Sequence, residues 1–531
     1  MSPRPSLPTR SPQQQTRRTL YPMRAAHARF DFIVVGGGTA GSVIAARLSQ
    51  DERVSVLLLE AGNSESPAAG AVPPAWPTLL QTPANWGDTT VVQAATGTSV
   101  ALARGRVLGG GSAINAMAFV RGHRSSYDAW PQAGAKGWGF DDLLPYFKRS
   151  ENTVGRNPEL RGVGGPLTVG PATPPNPVVA ALLEGVEQAG HRRAADISGG
   201  VEEGFGWSDL NIVGGQRQNA ADAYIRPVLH RPNLTVTTDA LVHRLRLSNG
   251  RCTGVEYSTG DSGGLVVAES SSEVVLTAGT LGSAQLLMLS GVGPQNHLRD
   301  LGIDVALDLP GVGANLQDHP IGYVIYRSAR QVPAGANNHG EAHGLLRTDA
   351  ASDGPDLQMF FVDIPIPIPS AEVPELGQGY AIGVSPMRPH SRGTVRLASA
   401  EPGASLRVDP NYFGDDRDLA TMVHGLRLAR ELGQTPALDT WRSAEAQPTS
   451  ALSSDDELRA YARKTVTSYM HLVGTCRMGE DAMAVVDSEL RLHGITGLRV
   501  ADASIFPSIP SANTNATVCA IAERAADMIK S

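Results

Sequence analysis

The chain has 531 residues, too many for one ordinary hydrophobic core, and 41% of them are apolar, enough to fill two or three. Its formal net charge of -7 is spread along the sequence without a basic stripe, which argues against nucleic acid or an anionic membrane surface as partner. No apolar run approaches the roughly 20 residues of a membrane span, and Cys252, Cys476 and Cys519 lie too far apart for a disulfide framework or a structural zinc site, so a reducing cytoplasm is expected.

Residues 1–29 are rich in Pro, Arg, Gln and Ser, and Arg17 and Arg18 have no apolar region behind them. A disordered tail is expected here rather than a secretion signal, with Met23 an alternative start. Ile33, Val34 and Val35 then read as a buried parallel strand, and Gly36, Gly38 and Gly41 follow at G-x-G-x-x-G spacing, with Thr39 and Ala40 between the last two. Gly36 permits the tight turn, Gly38 leaves room for a pyrophosphate, and Gly41 lets the helix that starts there pack closely on the strand. The helix N-terminus offers free N–H groups and partial positive charge to phosphates. A second apolar run, residues 54–59, ends in Glu60 and Ala61, nineteen residues past Gly41, where a carboxylate accepts the ribose hydroxyls of an adenine dinucleotide. The motif alone does not separate FAD from NAD.

After an irregular Pro-rich segment, Gly109, Gly110, Gly111 and Ser112 are expected to open an apolar, small-residue helix and to bring backbone N–H groups against a second part of the ligand. Residues 105–115, which include Arg106 and Leu108, resemble the first signature of the glucose–methanol–choline (GMC) family of FAD oxidoreductases. Residues 279–293 resemble its second signature, with Ala284 where Pro or Ser is usual. The likeness runs from Phe32 to the C-terminus. It implies an α/β architecture: a Rossmann-like FAD-binding domain with a parallel sheet, from residues 30–163, 206–316 and 470–531, and a substrate-binding domain with an antiparallel sheet, from 164–205 and 317–469. It also implies FAD contacts at Arg106, Leu108, Gly109, Gly110, Gly111, Asn115, Ala116, Ala278, Asp502, Ala503, Thr514 and Asn515, with Val242 near the adenine.

Between the signatures, Tyr127, Trp130, Trp138 and Phe147 read as aromatic packing under the cofactor domain. Residues 234–236 return a strand to the nucleotide-binding sheet, and 274–276 add another. From residue 310 the pattern changes, and 356–360 and 393–397 read as strands of the antiparallel sheet, with the Pro-rich loop 363–374 a candidate lid. His339 and His343 lie among Asn337, Asn338 and Glu341. Gly340 and Gly344 make a helix doubtful and no third ligand stands at a familiar spacing, so no metal is expected; a polar pocket wall and a solvated loop both remain open.

The C-terminal part carries the chemistry. Residues 469–479 resemble the family's H-x-x-G-T-x-R-M-G segment, and 510–515 open a long helix whose N-terminus suits the electron-rich edge of a flavin. His471 has the pKa range for a base, and Asn513 can hold an alcohol oxygen without competing for its proton. Three departures narrow the subtype. Ile114 and Ala116 stand where choline oxidases carry a flavin-linked His and a Ser, which implies noncovalent FAD. No cation cage is evident in 334–344, so neutral primary alcohols are expected rather than choline. Tyr469 and Met470 leave the electron acceptor open, oxygen or another. The expected reaction is oxidation of a primary alcohol to the aldehyde by hydride transfer to flavin N5. A flavin-containing lyase of the hydroxynitrile type and a light-driven decarboxylase share the fold, the latter without this histidine. Monomer and homodimer are both open.

Overall fold

The computed structural model describes residues 27–260 and 264–531. Up to position 26 the expected tail lies outside the described residues. Residues 27–29 are instead the start of the first strand, His27–Val35, because the partner strand Leu265–Leu276 is long enough to pair with all of it, from His27 opposite Val267 to Val35 opposite Leu276.

That strand is central to a seven-stranded sheet. The order is Leu234–Thr237, Val56–Leu59, His27–Val35, Leu265–Leu276, Arg251–Thr259, Ala240–Ser248, and Leu498–Val500 also pairs with Leu265–Leu276. The strands around His27–Val35 run parallel. Ile33, Val34, Val56, Leu58, Val274 and Val275 have no exposed surface, as an unbroken apolar run in a strand covered on both faces requires. The helices Thr39–Leu48 and Asn515–Lys530 pack together, and Arg47 grips the buried Glu523 through two N–H donors at 2.8 and 2.7 Å.

A second seven-stranded sheet is antiparallel. Its order is Arg442–Gln447, Pro320–Ser328, Gly379–Pro386, Leu357–Val362, Ala342–Leu346, Gly204–Trp207, with Thr467–Ser468 added at the Pro320 end. Gly204–Trp207 lies wholly in this sheet, with Gly206 opposite His343, so the domain boundary expected at residue 206 falls inside a strand. The strand expected near 393–397 forms as Thr394–Leu397 but belongs elsewhere. It pairs only with Leu406–Asp409 as a short hairpin, cut off by Pro389, Pro402 and Pro410, which cannot extend a ladder.

The two faces of the second sheet have different tasks. A side chain added at Gly322 would meet Met422 and Val384, and one at Gly425 would meet Leu357 and Val384, so this face takes the helix Asp416–Gly433. Tyr323 and Phe360 both stand opposite Gly383, and His343 stands opposite Phe360; alternation puts all three on the other face. The aromatic cluster is packing, as expected. Tyr127 meets Trp130 at 5.4 Å and Phe147 at 5.5 Å between ring centres, and the indoles of Trp130 and Trp138 donate to the carbonyls of Ser508 and Ser488.

Candidate active site

Two glycine turns meet at the C-terminal end of the parallel strands. Gly36 turns at φ +105°, and the helix begins at Thr39, two residues earlier than Gly41, with Gly38 as an N-cap that has no side chain to satisfy the first N–H groups. A Cβ at Gly41 would lie 1.9 Å from the Gly36 carbonyl oxygen, so that glycine is required by the turn itself. A Cβ at Gly38 would meet only Gly110 Cα, at an ordinary 3.8 Å. The second turn does not open the expected helix. Gly109 and Gly110 have φ of +96° and +55°, left-handed conformations foreign to an α-helix, and the run forms only a single 3-10 turn, Gly110–Ala113. The turns lock together: Gly109 N–H donates to the Gly37 carbonyl at 2.7 Å, and a Cβ at Gly110 would sit 2.6 Å from Gly38 Cα.

Between the turns runs a cleft, open to solvent, whose empty space with that open part included is about 1310 Å³. Gly36, Gly38, Thr39, Ala40, Glu60 and Ala61 line it from the first strand–turn–helix unit. Gly110 and Gly111 line it from the second turn, and Val242, Ala278, Asp502 and Ala503 from further along the chain. Other expected contacts lie behind this wall. Gly41 backs the first turn, Gly109 abuts Asn219, and Leu108 packs under Gly37. The Arg106 guanidinium stacks on Trp86 at 4.9 Å, and it is Trp86 that reaches the cleft. Asn115 Oδ1 is taken by Met117 N–H and Arg217, and the Ala116 carbonyl by Asn338. Thr514 precedes the C-terminal helix, and Asn515 Oδ1 accepts from the Thr39 hydroxyl at 3.0 Å, which fixes the starts of the two helices together.

The groups present suit an adenine dinucleotide. Each oxygen of Glu60 accepts one backbone N–H, from Gly37 and from Gly62, both at 2.8 Å. A carboxylate has about four acceptor positions, so capacity remains for two ribose hydroxyls. Burial pushes Glu60 up to about 7, opposed by those two N–H groups and by Arg104 and Arg106. A Cβ at Gly111 would meet nothing within 4 Å, so protein packing places no demand for glycine's lack of a side chain there.

The segment around His339 is not a solvated loop. His339, at φ +67°, shares a hydrogen with Asp363 Oδ1 at 2.6 Å and bonds the Pro74 carbonyl, while His343 bonds Ser208. Asn337 and Glu341 bond each other, Asn176 bonds Asp363 and Glu341, and the Trp76 indole donates to the Asn338 carbonyl. The result is a buried joint between segment 74–76, the second sheet and the near end of the Pro-rich loop 363–374.

Met470 and Leu472 line the same cleft, with His471 between them. Residues 469–473 run antiparallel to 317–319: Gln317 and Val473 exchange N–H···O bonds of 3.0 and 2.9 Å, and Tyr469 N–H donates to the His319 carbonyl at 3.0 Å. The Thr280 hydroxyl holds the Leu472 carbonyl at 2.6 Å. Met470 has φ +62°, a conformation held against its usual cost by these contacts. The His471 ring stacks on Tyr469 at 4.3 Å, its Nε2 lies 3.1 Å from Asn513 Nδ2, and its Nδ1 lies 2.9 Å from His319 Nδ1. Burial, with His319 adding to it, holds His471 well below its ordinary value, so the ring is neutral at physiological pH. Burial, opposed by the bond to the Met387 carbonyl, takes His319 down to about 3. Asp318 accepts from the backbone N–H groups of His319 and His471 and from the Ser468 and Tyr412 hydroxyls, and burial still pushes it up to about 6.

His471 and Asn513 are therefore brought together, and Asp318 and His319 are the residues sequence reasoning missed. Their signal was an Asp–His–Pro run immediately ahead of the strand Pro320–Ser328, whose first seven residues are all buried.

Two family models, both described as GMC oxidoreductase, match residues 30–321 and 389–522. The chain belongs to the GMC oxidoreductase family. Over 527 residues this GMC oxidoreductase is 39% identical to an oxygen-dependent choline dehydrogenase of Brucella canis, with 94% of this chain and 95% of that one covered. Pyridoxine 4-oxidase from Mesorbium loti superposes with a TM-score of 0.90 at 36% identity, covering 94% and 98% of the two chains. A fungal aryl-alcohol oxidase superposes with a TM-score of 0.83 at 26% identity, covering 94% and 98%. The protein is accordingly an FAD-dependent oxidoreductase acting on CH–OH groups. Among the described residues no helix is long and apolar enough to cross a membrane, and all three cysteines are buried and unpaired.

Proposed function

We propose that the protein oxidises a neutral primary alcohol to the aldehyde, with His471 as the base and Asn513 holding the alcohol oxygen. The observation that carries this reading is the 3.1 Å approach of Asn513 Nδ2 to His471 Nε2, beside the two residues that line the dinucleotide cleft. In it, residues 30–163, 206–316 and 470–531 bind FAD and 164–205 and 317–469 bind substrate, apart from the strand at 204–207. Gly38, Thr39, Ala40, Gly110 and Gly111 hold the pyrophosphate, Glu60 the ribose, and Val242 the adenine. Bound FAD supplies the hydride acceptor, flavin N5. His471 takes the hydroxyl proton at Nε2, and the Asn513 N–H groups steady the oxygen as negative charge grows on it.

The FAD is noncovalent in this reading. Ile114 offers no nucleophile and is buried in a small apolar cluster with Leu79, Ala84, Val107 and Ala113. The three unpaired thiols suit a reducing cytoplasm, and oxygen or another acceptor reoxidises the flavin.

An aromatic cluster beside His471 supports the substrate class. Tyr469 stacks on His471 and meets Phe360 at 5.0 Å, and Phe360 meets Tyr323 at 5.9 Å. Asp318, which accepts from the His471 backbone N–H, is held by four donors in all, so its acceptor positions are already filled. The likeness to pyridoxine 4-oxidase and to an aryl-alcohol oxidase favours a ring-bearing alcohol. In steady-state assays, benzylic and heteroaromatic methanols should exceed choline in kcat/KM by at least about tenfold, the value of one lost ion contact of roughly 1.4 kcal/mol. A preference for choline would overturn the substrate class.

A further inference from the structure

The contact between His319 and His471 joins two ring nitrogens, and its hydrogen has to come from one of them. We infer that His319 is a positioning residue that holds His471 in the Nδ1–H tautomer and so presents a bare Nε2 lone pair to the substrate. The inference rests on the proposed role of His471 as base.

The direction follows from the far end of the chain of bonds. His319 Nε2 lies 3.3 Å from the Met387 carbonyl oxygen, which can only accept, so Nε2 carries the hydrogen. A neutral imidazole has one N–H, which leaves His319 Nδ1 as an acceptor. His471 Nδ1, 2.9 Å away, must then donate, and His471 Nε2 is left without a hydrogen. The contact at Asn513 agrees, because the amide Nδ2 is a donor and finds a lone pair there, one that the substrate hydroxyl takes over from the amide on binding. The opposite assignment turns His319 Nε2 into a lone pair facing another lone pair. It also puts a hydrogen on His471 Nε2, where a base needs none. His319 has no exposed surface, so water does not rescue the misaligned group, and the buried loss is of the size known for unsatisfied polar atoms.

The surrounding groups leave the task to His319. Asp318 is the one carboxylate among the groups bonded to this pair, and both its oxygens are engaged by backbone N–H groups and hydroxyls rather than by either ring. Tyr469 faces His471 with its ring, not its hydroxyl. The orienting partner is thus a neutral imidazole. It fixes the tautomer without the carboxylate charge that would pull the base toward permanent protonation.

The test uses FAD-loaded protein labelled with nitrogen-15 in histidine, with the His471 signals identified by their loss in His471→Gln. Near neutral pH, His471 Nδ1 should resonate as a protonated nitrogen and Nε2 as a bare one. In His319→Leu that pattern should become mixed or reversed, and anaerobic flavin bleaching at saturating alcohol should fall by roughly 10²-fold or more across the whole pH plateau, with FAD content and substrate affinity little changed. His319→Asn, whose carboxamide oxygen can stand where Nδ1 stood, should recover most of the rate. A protonated Nε2 on His471 in the unmodified protein would overturn the inference, and so would equal rates and spectra in the Leu and Asn variants. The spectrum needs no turnover, so it decides the tautomer even if no alcohol bleaches the flavin, an outcome that would count against the proposed function instead.

Discussion

Replacing His471 by Ala is expected to slow anaerobic bleaching of the bound flavin by alcohol by roughly 10²–10⁴-fold, the range of a positioned acid–base group, at unchanged FAD content. The loading is preserved because His471 does not itself line the cleft, whereas the glycine turns and Glu60 do. The same account fixes the pH dependence in the unmodified protein. A base must be neutral to accept a proton, and burial holds His471 well below 6.5. The bleaching rate should therefore be level above about pH 6.5 and fall only as pH drops through the lowered value. An acid limb centred near pH 8 would contradict that assignment. Asn513→Ala should cost a smaller factor, since it removes one donor to the developing alkoxide and leaves the base in place. The double variant should lose less than the product of the two, because both groups act on one oxygen.

The second large effect separates two glycines of one motif. Gly41→Val should abolish FAD binding and destabilise the apoprotein by at least about 3 kcal/mol, the upper end for overpacking. Its Cβ would fall 1.9 Å from the Gly36 carbonyl and 2.8 Å from the Thr277 hydroxyl, both part of the turn. Gly38→Val should also lose FAD but keep the apoprotein's thermal midpoint close to that of the unmodified protein. A Cβ at Gly38 would meet only Gly110 Cα, at an ordinary 3.8 Å, so the proposed pyrophosphate contact, and not the chain at that atom, would be what excludes a side chain. Flavin content together with apoprotein melting reads both variants. A Gly38→Val protein that stays fully yellow would remove the pyrophosphate from that turn.

The dinucleotide half was legible because its signals are local: three spaced glycines, two apolar runs and a terminal carboxylate. Even there the helix start was misplaced by two residues, since G-x-G-x-x-G marks where the backbone must approach a ligand and not where φ and ψ become helical. The Gly109–Gly110 turn was misread as a helix for a related reason. Small residues permit both a helix and a left-handed turn, and contact with Gly37 and Gly38, seventy residues away, decides between them. His471 and Asn513 were legible as parts of a resemblance, but Asp318 and His319 were not. They reach the site only because 317–319 pairs with 469–473 across about 150 residues of intervening chain. The strand Gly204–Trp207 escaped notice because it is short and joins strands more than a hundred residues away. Likewise, the burial of His339 depends on Asp363, Asn176 and Trp76, which no local pattern announces.

In the proposed reaction, alcohol electrons reach a flavin held between the two glycine turns. Anaerobic titration of the purified holoprotein with a panel of benzylic, heteroaromatic and aliphatic primary alcohols tests it most directly. The account predicts bleaching of the oxidised flavin band, one aldehyde formed per flavin bleached, and intact FAD released when the protein is then denatured. A flavin that stays oxidised with every alcohol, while the protein cleaves a hydroxynitrile to aldehyde and cyanide, would contradict it and place the chemistry with the lyases.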